Sequence, residues 1–298
     1  MRTLIAVVAL GGLLVSGCGR PATEDTSEPP IADPPPPLTS VTQIAPPLLG
    51  YSPTPQEAAT IQMAQGILAA ECVSRFGLSY SPDLTLTALS TSTDISPRYG
   101  PIDPAWVAEH GYAPQAPEFS EGDPNRPDPS PEVREVLRGV DENENPIQKT
   151  DGDGNPLHEA GCYGEAMETL FVEQPFFADL ERLIEEGLGY SRERMAADSR
   201  VAEAEDAWLD CMSARGYSGD SYYDMGNAYA TTADPAGYLG FAMDDVECAQ
   251  QVNLPGIRYA VDSAYQERWL AEHGAEVKTL HDGYLAGLER AQKVMGGQ

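Results

Sequence analysis

Five thiols are the most reactive groups in this chain. Cys18 follows Val15-Ser16-Gly17 directly, and Cys72, Cys162, Cys211 and Cys248 are spread through the remainder. An even set of four in an oxidising compartment reads as two disulfides. A thiolate zinc site needs tighter spacing: no pair is Cys-x2-Cys, and only His158 lies within a few residues of a cysteine, so no zinc is assigned. Oxygen ligands come next, in the tandem segments Asp141-Glu142-Asn143-Glu144-Asn145-Pro146 and Asp151-Gly152-Asp153-Gly154-Asn155-Pro156. A calcium-binding EF-hand loop requires glycine at its sixth position and a glutamate at its twelfth. Here those places hold Pro146 and Pro156, then Gly152 and Cys162. Two Asx turns flanking a short strand over 147–149 explain the same residues without a metal. His273 and His281, eight residues apart on a predicted helix, lie about 80° apart round its axis and do not share a ligand face. Gly216-Tyr217-Ser218-Gly219-Asp220 approaches a serine-nucleophile elbow, but it follows a helix rather than a strand and lacks the last glycine. With 47 acidic residues, a catalytic carboxylate pair cannot be picked out by type. No catalytic residue, metal or cofactor is assigned, and the chain is expected not to be an enzyme.

The leader explains Cys18. Leu4 to Leu14 form an apolar run behind Arg2, too short to span a bilayer and followed by small residues as at a signal-peptidase site. Val15-Ser16-Gly17-Cys18 resembles the lipobox of bacterial lipoproteins. The resemblance implies that residues 1–17 are a signal peptide and that the Cys18 sulfur forms a thioether to diacylglycerol. Cleavage then leaves Cys18 as the lipid-bearing N-terminus, on the outer face of the cell membrane. Two or more acyl chains are expected, since one alone binds only marginally.

Composition bounds the partners. Lys and Arg number 18 against 47 Asp and Glu, for a net charge of −29. Such a field excludes nucleic acid and disfavours an electrostatic grip on anionic headgroups. Weak cation binding remains compatible with it, although solubility explains it equally well. The membrane is therefore reached through the lipid, and a protein of the envelope is the expected partner.

Residues 18–54 are proline-rich and acidic, and read as a lipidated tether. Fully extended as polyproline II, about 35 residues at ~3.1 Å each reach roughly 110 Å. Thr54-Pro55-Gln56-Glu57 is a capping box, and Ile61, Ala64, Leu68, Cys72 and Phe76 continue at helical spacing to a stop at Gly77. A second helix runs from Asp198 through Trp208 and Cys211 to Gly216. Cys72 and Cys211 both stand five residues before the stop glycine, and each has a later helix carrying a cysteine downstream. That pattern reads as a degenerate duplication, with Cys72–Cys162 and Cys211–Cys248 as the two staples. Loops of about 90 and 37 residues would be stabilised by roughly 4.6 and 3.8 kcal/mol in the chain-entropy description. The helix begun at Cys162 is expected to break or restart at Pro175, and Asp234-Pro235 starts another. From Pro255 to about Lys293 one long amphipathic helix is predicted, with Gly274 a place to bend. Recurrent Gly-Tyr pairs (Gly111-Tyr112, Gly189-Tyr190, Gly216-Tyr217, Gly237-Tyr238, Gly283-Tyr284) read mostly as helix stops followed by an aromatic clamp. The fold class is mainly α: a helical bundle over 55–298 with two disulfides, a long C-terminal helix, and an irregular insertion at 79–156. Within that insertion only 104–110 and 131–138 look helical.

Trp208, Cys211-Met212, Gly216-Tyr217, Gly161-Cys162 and Ala264-Tyr265-Gln266 together resemble a group of uncharacterised actinobacterial secreted lipoproteins. The scarcity of lysine, limited to Lys149, Lys278 and Lys293, fits such a GC-rich source. The resemblance implies secretion and a helical, disulfide-linked body, and no catalytic residue. The functional expectation is a lipid-anchored, non-catalytic binding or accessory protein of the envelope. The alternative is a solute-binding or sensing lipoprotein with its ligand between the bundle and 79–156. Peptide mapping without reduction should yield Cys72–Cys162 and Cys211–Cys248 peptides; a Cys72–Cys211 peptide would contradict the paired staples.

Overall fold

The computed structural model describes residues 27–84, 98–113, 127–172, 176–230 and 235–296. Cys18 and its leader lie outside them. Among the described residues there are nine α-helices and no strand. The 147–149 segment is flanked by two isolated bridges, Val140 to Pro146 and Thr150 to Pro156, and forms no strand of its own.

Local chemistry sets the helix boundaries. Helix α1, Pro55–Arg75, begins where the Thr54 hydroxyl accepts from the Glu57 amide at 3.2 Å and the Glu57 carboxylate accepts from the Thr54 amide at 2.8 Å. Two short helices follow, α2 (Pro104–His110) and α3 (Pro131–Arg138), each with proline in the first turn. Helix α4 is Gly161–Leu170, and α5, Phe176–Ala196, restarts just after Pro175. Helix α6, Ser199–Ala214, is capped by Asp198, whose carboxylate accepts from the Arg200 amide at 3.1 Å. Helix α7 (Tyr222–Ala230) has no counterpart in the sequence reading, and α8 is Pro235–Gln251. Helix α9, Leu254–Gly296, runs 43 residues and passes through Gly274 without interruption. At 1.5 Å per residue it is about 65 Å long.

Two main cores hang on α9. Its C-terminal two-thirds packs with α1, α4 and α5 around Ile61, Leu170, Leu180, Ile184, Trp269, Val277, Tyr284 and Leu288. Near its start, Leu254 joins α6, α7 and α8 around Trp208, Met212, Met225 and Phe241. Each assembly carries one disulfide, Cys72–Cys162 joining α1 to α4 and Cys211–Cys248 joining α6 to α8. A smaller core of Val73, Val133, Val136 and Leu137 seats α3 beside the first bridge.

Two segments differ from the reading of composition. Residues 27–54 are not a free tether: Pro29, Leu38, Pro46 and Leu48 are buried against the body, and two 3-10 turns form at Val41–Gln43 and Pro47–Tyr51. Proline-rich composition is the same for a free and a docked strand, and what docks this one is its partner surface on α9. The 79–156 stretch is likewise no mere insertion, because Tyr99, Ile102 and Val107 are buried in the body. Parts of it, 85–97 and 114–126, lie outside the described residues.

Two glycines of α9 separate packing from propensity. A Cβ on Gly287 would sit 2.2 Å from the Phe171 ring, whereas one on Gly274 meets nothing within 4 Å. Gly287→Ala should destabilise by about 1–3 kcal/mol through overpacking, and Gly274→Ala should stabilise by about 0.5–1 kcal/mol through helix propensity. Denaturant unfolding of both variants checks this; two effects of the same sign would contradict the packing.

Candidate functional site

Polar side chains buried beside α9 form the most chemically distinctive part of the molecule. Arg258, Asp262 and Gln266 recur every four residues on one helix face, and all three are buried. Asp262 accepts from Arg98 Nη2 at 2.7 Å, Tyr99 Oη at 2.7 Å and Gln266 Nε2 at 2.8 Å. The Arg98 guanidinium also reaches the Ser191 hydroxyl at 2.8 Å and the Leu188 carbonyl at 3.1 Å on α5. Gln266 passes the network on, its Oε1 accepting from the Leu48 amide at 3.0 Å.

A second cluster forms where α6, α7 and α8 meet the start of α9. Asp245, 4% exposed, accepts from Tyr112 Oη at 2.5 Å and Trp208 Nε1 at 2.9 Å. The Arg258 guanidinium lies 4.0 Å above the Tyr222 ring and donates to Glu205 at 2.7 Å. Burial pushes the Asp245 carboxyl up to about 6, against the two hydrogen bonds and the nearby Arg258 charge. Burial and the Asp245 charge likewise push the Tyr112 phenol far up, and the Tyr222 phenol up to about 12.

A third acid, Asp198, is fully enclosed at its side chain and bound by Arg200 Nε at 2.8 Å and Nη2 at 2.6 Å. Burial alone would raise this carboxyl, but the Arg200 bonds and charge outweigh it and hold it below the usual carboxylate range. Glu28 completes the α6 start, accepting from the Ser199 amide at 2.7 Å and the Ser199 hydroxyl at 2.9 Å. Two carboxylates thus answer the positive end of one helix.

The residues singled out from sequence are placed as follows. Cys18 lies outside the described residues, and the other four cysteines are paired. Asp141 and Asp151 close two equivalent Asx loops: Asp141 accepts from the Asn143 and Asn145 amides at 2.8 and 2.9 Å, and Asp151 from those of Asp153 and Asn155 at 3.0 and 2.8 Å. Bonds from the asparagine at the loop end and from the loop amides hold both carboxyls below their ordinary range. The acids are used by their own turns, and among the described residues no three metal-ligating side chains gather. His110 stacks on Trp106 and His273 on Trp269, while His281 meets Tyr51 edge-on. Of the Gly-Tyr pairs, Gly111 and Gly216 end helices with positive φ of 61° and 94°; Gly189 and Gly283 lie inside α5 and α9, and Gly237 in the first turn of α8. Asp245 and Asp262 escape sequence reading because acids are so common here. A signal does exist in the recurrence of Arg258, Asp262 and Gln266 beside Val261, Tyr265 and Trp269.

The Asp245 and Asp262 clusters are both built from hydrogen bonds within the chain. Asp245 can hold or release a proton near neutrality while 4% exposed, and Asp262 accepts from three donors. The two disulfides indicate an oxidising, extracytoplasmic setting, and no helix among the described residues is long and apolar enough to cross a membrane. Compared with family models, curated proteins and solved structures, the chain matches none.

The raised Asp245 carboxyl sets the sign of one pH dependence. Between about 3.8 and 6 the folded chain holds this proton more tightly than the unfolded chain. The resulting stability is therefore present below about 3.8 and lost as pH rises through about 6. Relative to Asp245→Asn, the natural protein should lose roughly 2 kcal/mol of unfolding free energy between pH 4 and pH 7. Parallel denaturant titrations measure it; a pH-independent difference would contradict the buried, ionising carboxyl.

Proposed function

We propose that this is a lipid-anchored protein on the outer face of the cell membrane, held there through Cys18, and that it acts as a non-catalytic binding or accessory component of a bacterial, actinobacterial envelope. The observation that carries the non-catalytic part is the commitment of the buried acids. Asp245, Asp262 and Asp198 each bind donors of their own chain from two or more elements, which makes them joints of a scaffold. Breaking such a buried pair typically costs about 3–5 kcal/mol, and a catalytic acid spent this way would lose its freedom to act.

The extracytoplasmic setting agrees with the two disulfides, and the acidic surface makes a cationic face on the partner the natural complement. The anchor is a matter of the Val15-Ser16-Gly17-Cys18 segment. Cross-linking on intact cells followed by isolation of the tagged protein should recover a stoichiometric envelope partner. Recovery of the protein alone would move the reading to small-ligand binding. Cys18→Ala should shift the protein from the membrane fraction to the medium or stall it in export; unchanged retention would overturn lipidation.

A further inference from the structure

The segment that follows the anchor is bound to the body along most of its length. The Ser27 carbonyl accepts from Arg268 Nη1 at 2.6 Å, the Pro29 carbonyl from Arg200 Nη1 at 2.8 Å, and the Pro35 carbonyl from Asn253 Nδ2 at 2.8 Å. In the other direction the Ala45 amide donates to Tyr259 Oη at 3.4 Å and the Leu48 amide to Gln266 Oε1 at 3.0 Å. Four of those five partners stand on α9 or at its start. Glu28 binds the α6 N-terminus, and Leu38 packs with Tyr99, Ile102 and Tyr259. Prolines at 29, 30 and 34–37 supply carbonyls without N–H donors, and the body answers with side-chain donors. A strand so rich in proline also loses less conformational freedom on docking than an ordinary one.

Docking changes the geometry of anchoring. With residues 27–52 held on the body, the chain left between it and the anchor runs only from Cys18 to Ser27. Those nine chain steps span at most about 30 Å whatever their conformation, not the roughly 110 Å of a free polyproline tether. We infer that residues 27–52 are a clasp which keeps the body, at the junction of α6 with the middle of α9, within about 30 Å of the outer leaflet. The partner this placement favours is the extracytoplasmic face of a membrane-embedded protein. This inference rests on lipidation of Cys18.

A specific-protease site inserted between Ser52 and Pro53 in the full, lipidated chain tests it. The protein is bound to phosphatidylcholine–phosphatidylglycerol vesicles, cut to completion and floated. The clasp predicts that the body, residues 53–298, stays with the vesicles after the cut, held by the strap alone. The triple variant Glu28→Ala, Asn253→Gly, Arg268→Ala removes strap contacts outside the cores while Gly tolerates the positive φ at 253, and should release the body at least about tenfold faster. Immediate release of the uncompromised body would overturn the clasp. Uncut protein that does not float would overturn the anchor and the placement with it. The clasp itself is then decided by gel filtration of the cut protein, where co-elution of strap and body supports it and separation overturns it.

Discussion

Asp262 sets a carboxylate in the buried interior on α9, and three distant parts of the chain converge on it, directly or through a neighbour. Arg98 and Tyr99 come from the segment before α2, Ser191 and Leu188 from α5 by way of Arg98, and Leu48 from the N-terminal strap by way of Gln266. A carboxylate out of water is costly unless it is paired and hydrogen-bonded, so these elements are drawn into one register. The apolar cores give the bundle its stability. The Asp262 network makes the arrangement specific, because apolar contacts alone would not fix where the strap and the 98–102 segment sit.

That network also ties fold to function. It fastens the part of the chain nearest the proposed lipid to the helix on which both cores are built. Helix α9 is the common beam of both cores, with a disulfide on either side. Placed beside the membrane as proposed, an acidic body braced in this way suits a component that holds or orients another protein.

Much of the helical framework is legible locally. Thr54 and Glu57 make their capping box within four residues, Pro104 and Pro131 mark helix starts, and Gly216 stops α6 with the Tyr217 amide folding back to Met212 at 3.2 Å. Helix α7 is harder, because its nine residues, with Gly226 among them, carry little periodicity. The strap and the buried acids are harder still, for a physical reason. Docking of residues 27–52 depends on Asn253, Tyr259, Gln266 and Arg268, all more than 200 residues away in sequence, and burial of Asp245 depends on Tyr112 and Trp208. No local pattern separates such residues from the many acids and prolines that face water.

Amide hydrogen exchange at Leu48 in the full chain reads the central claim most directly, since this one N–H reports both the docked strap and the Gln266–Asp262 network. Docking predicts that it exchanges as slowly as the amides of the α9 core. Exchange at the rate of an exposed, unstructured amide would contradict both the clasp and the network that holds it.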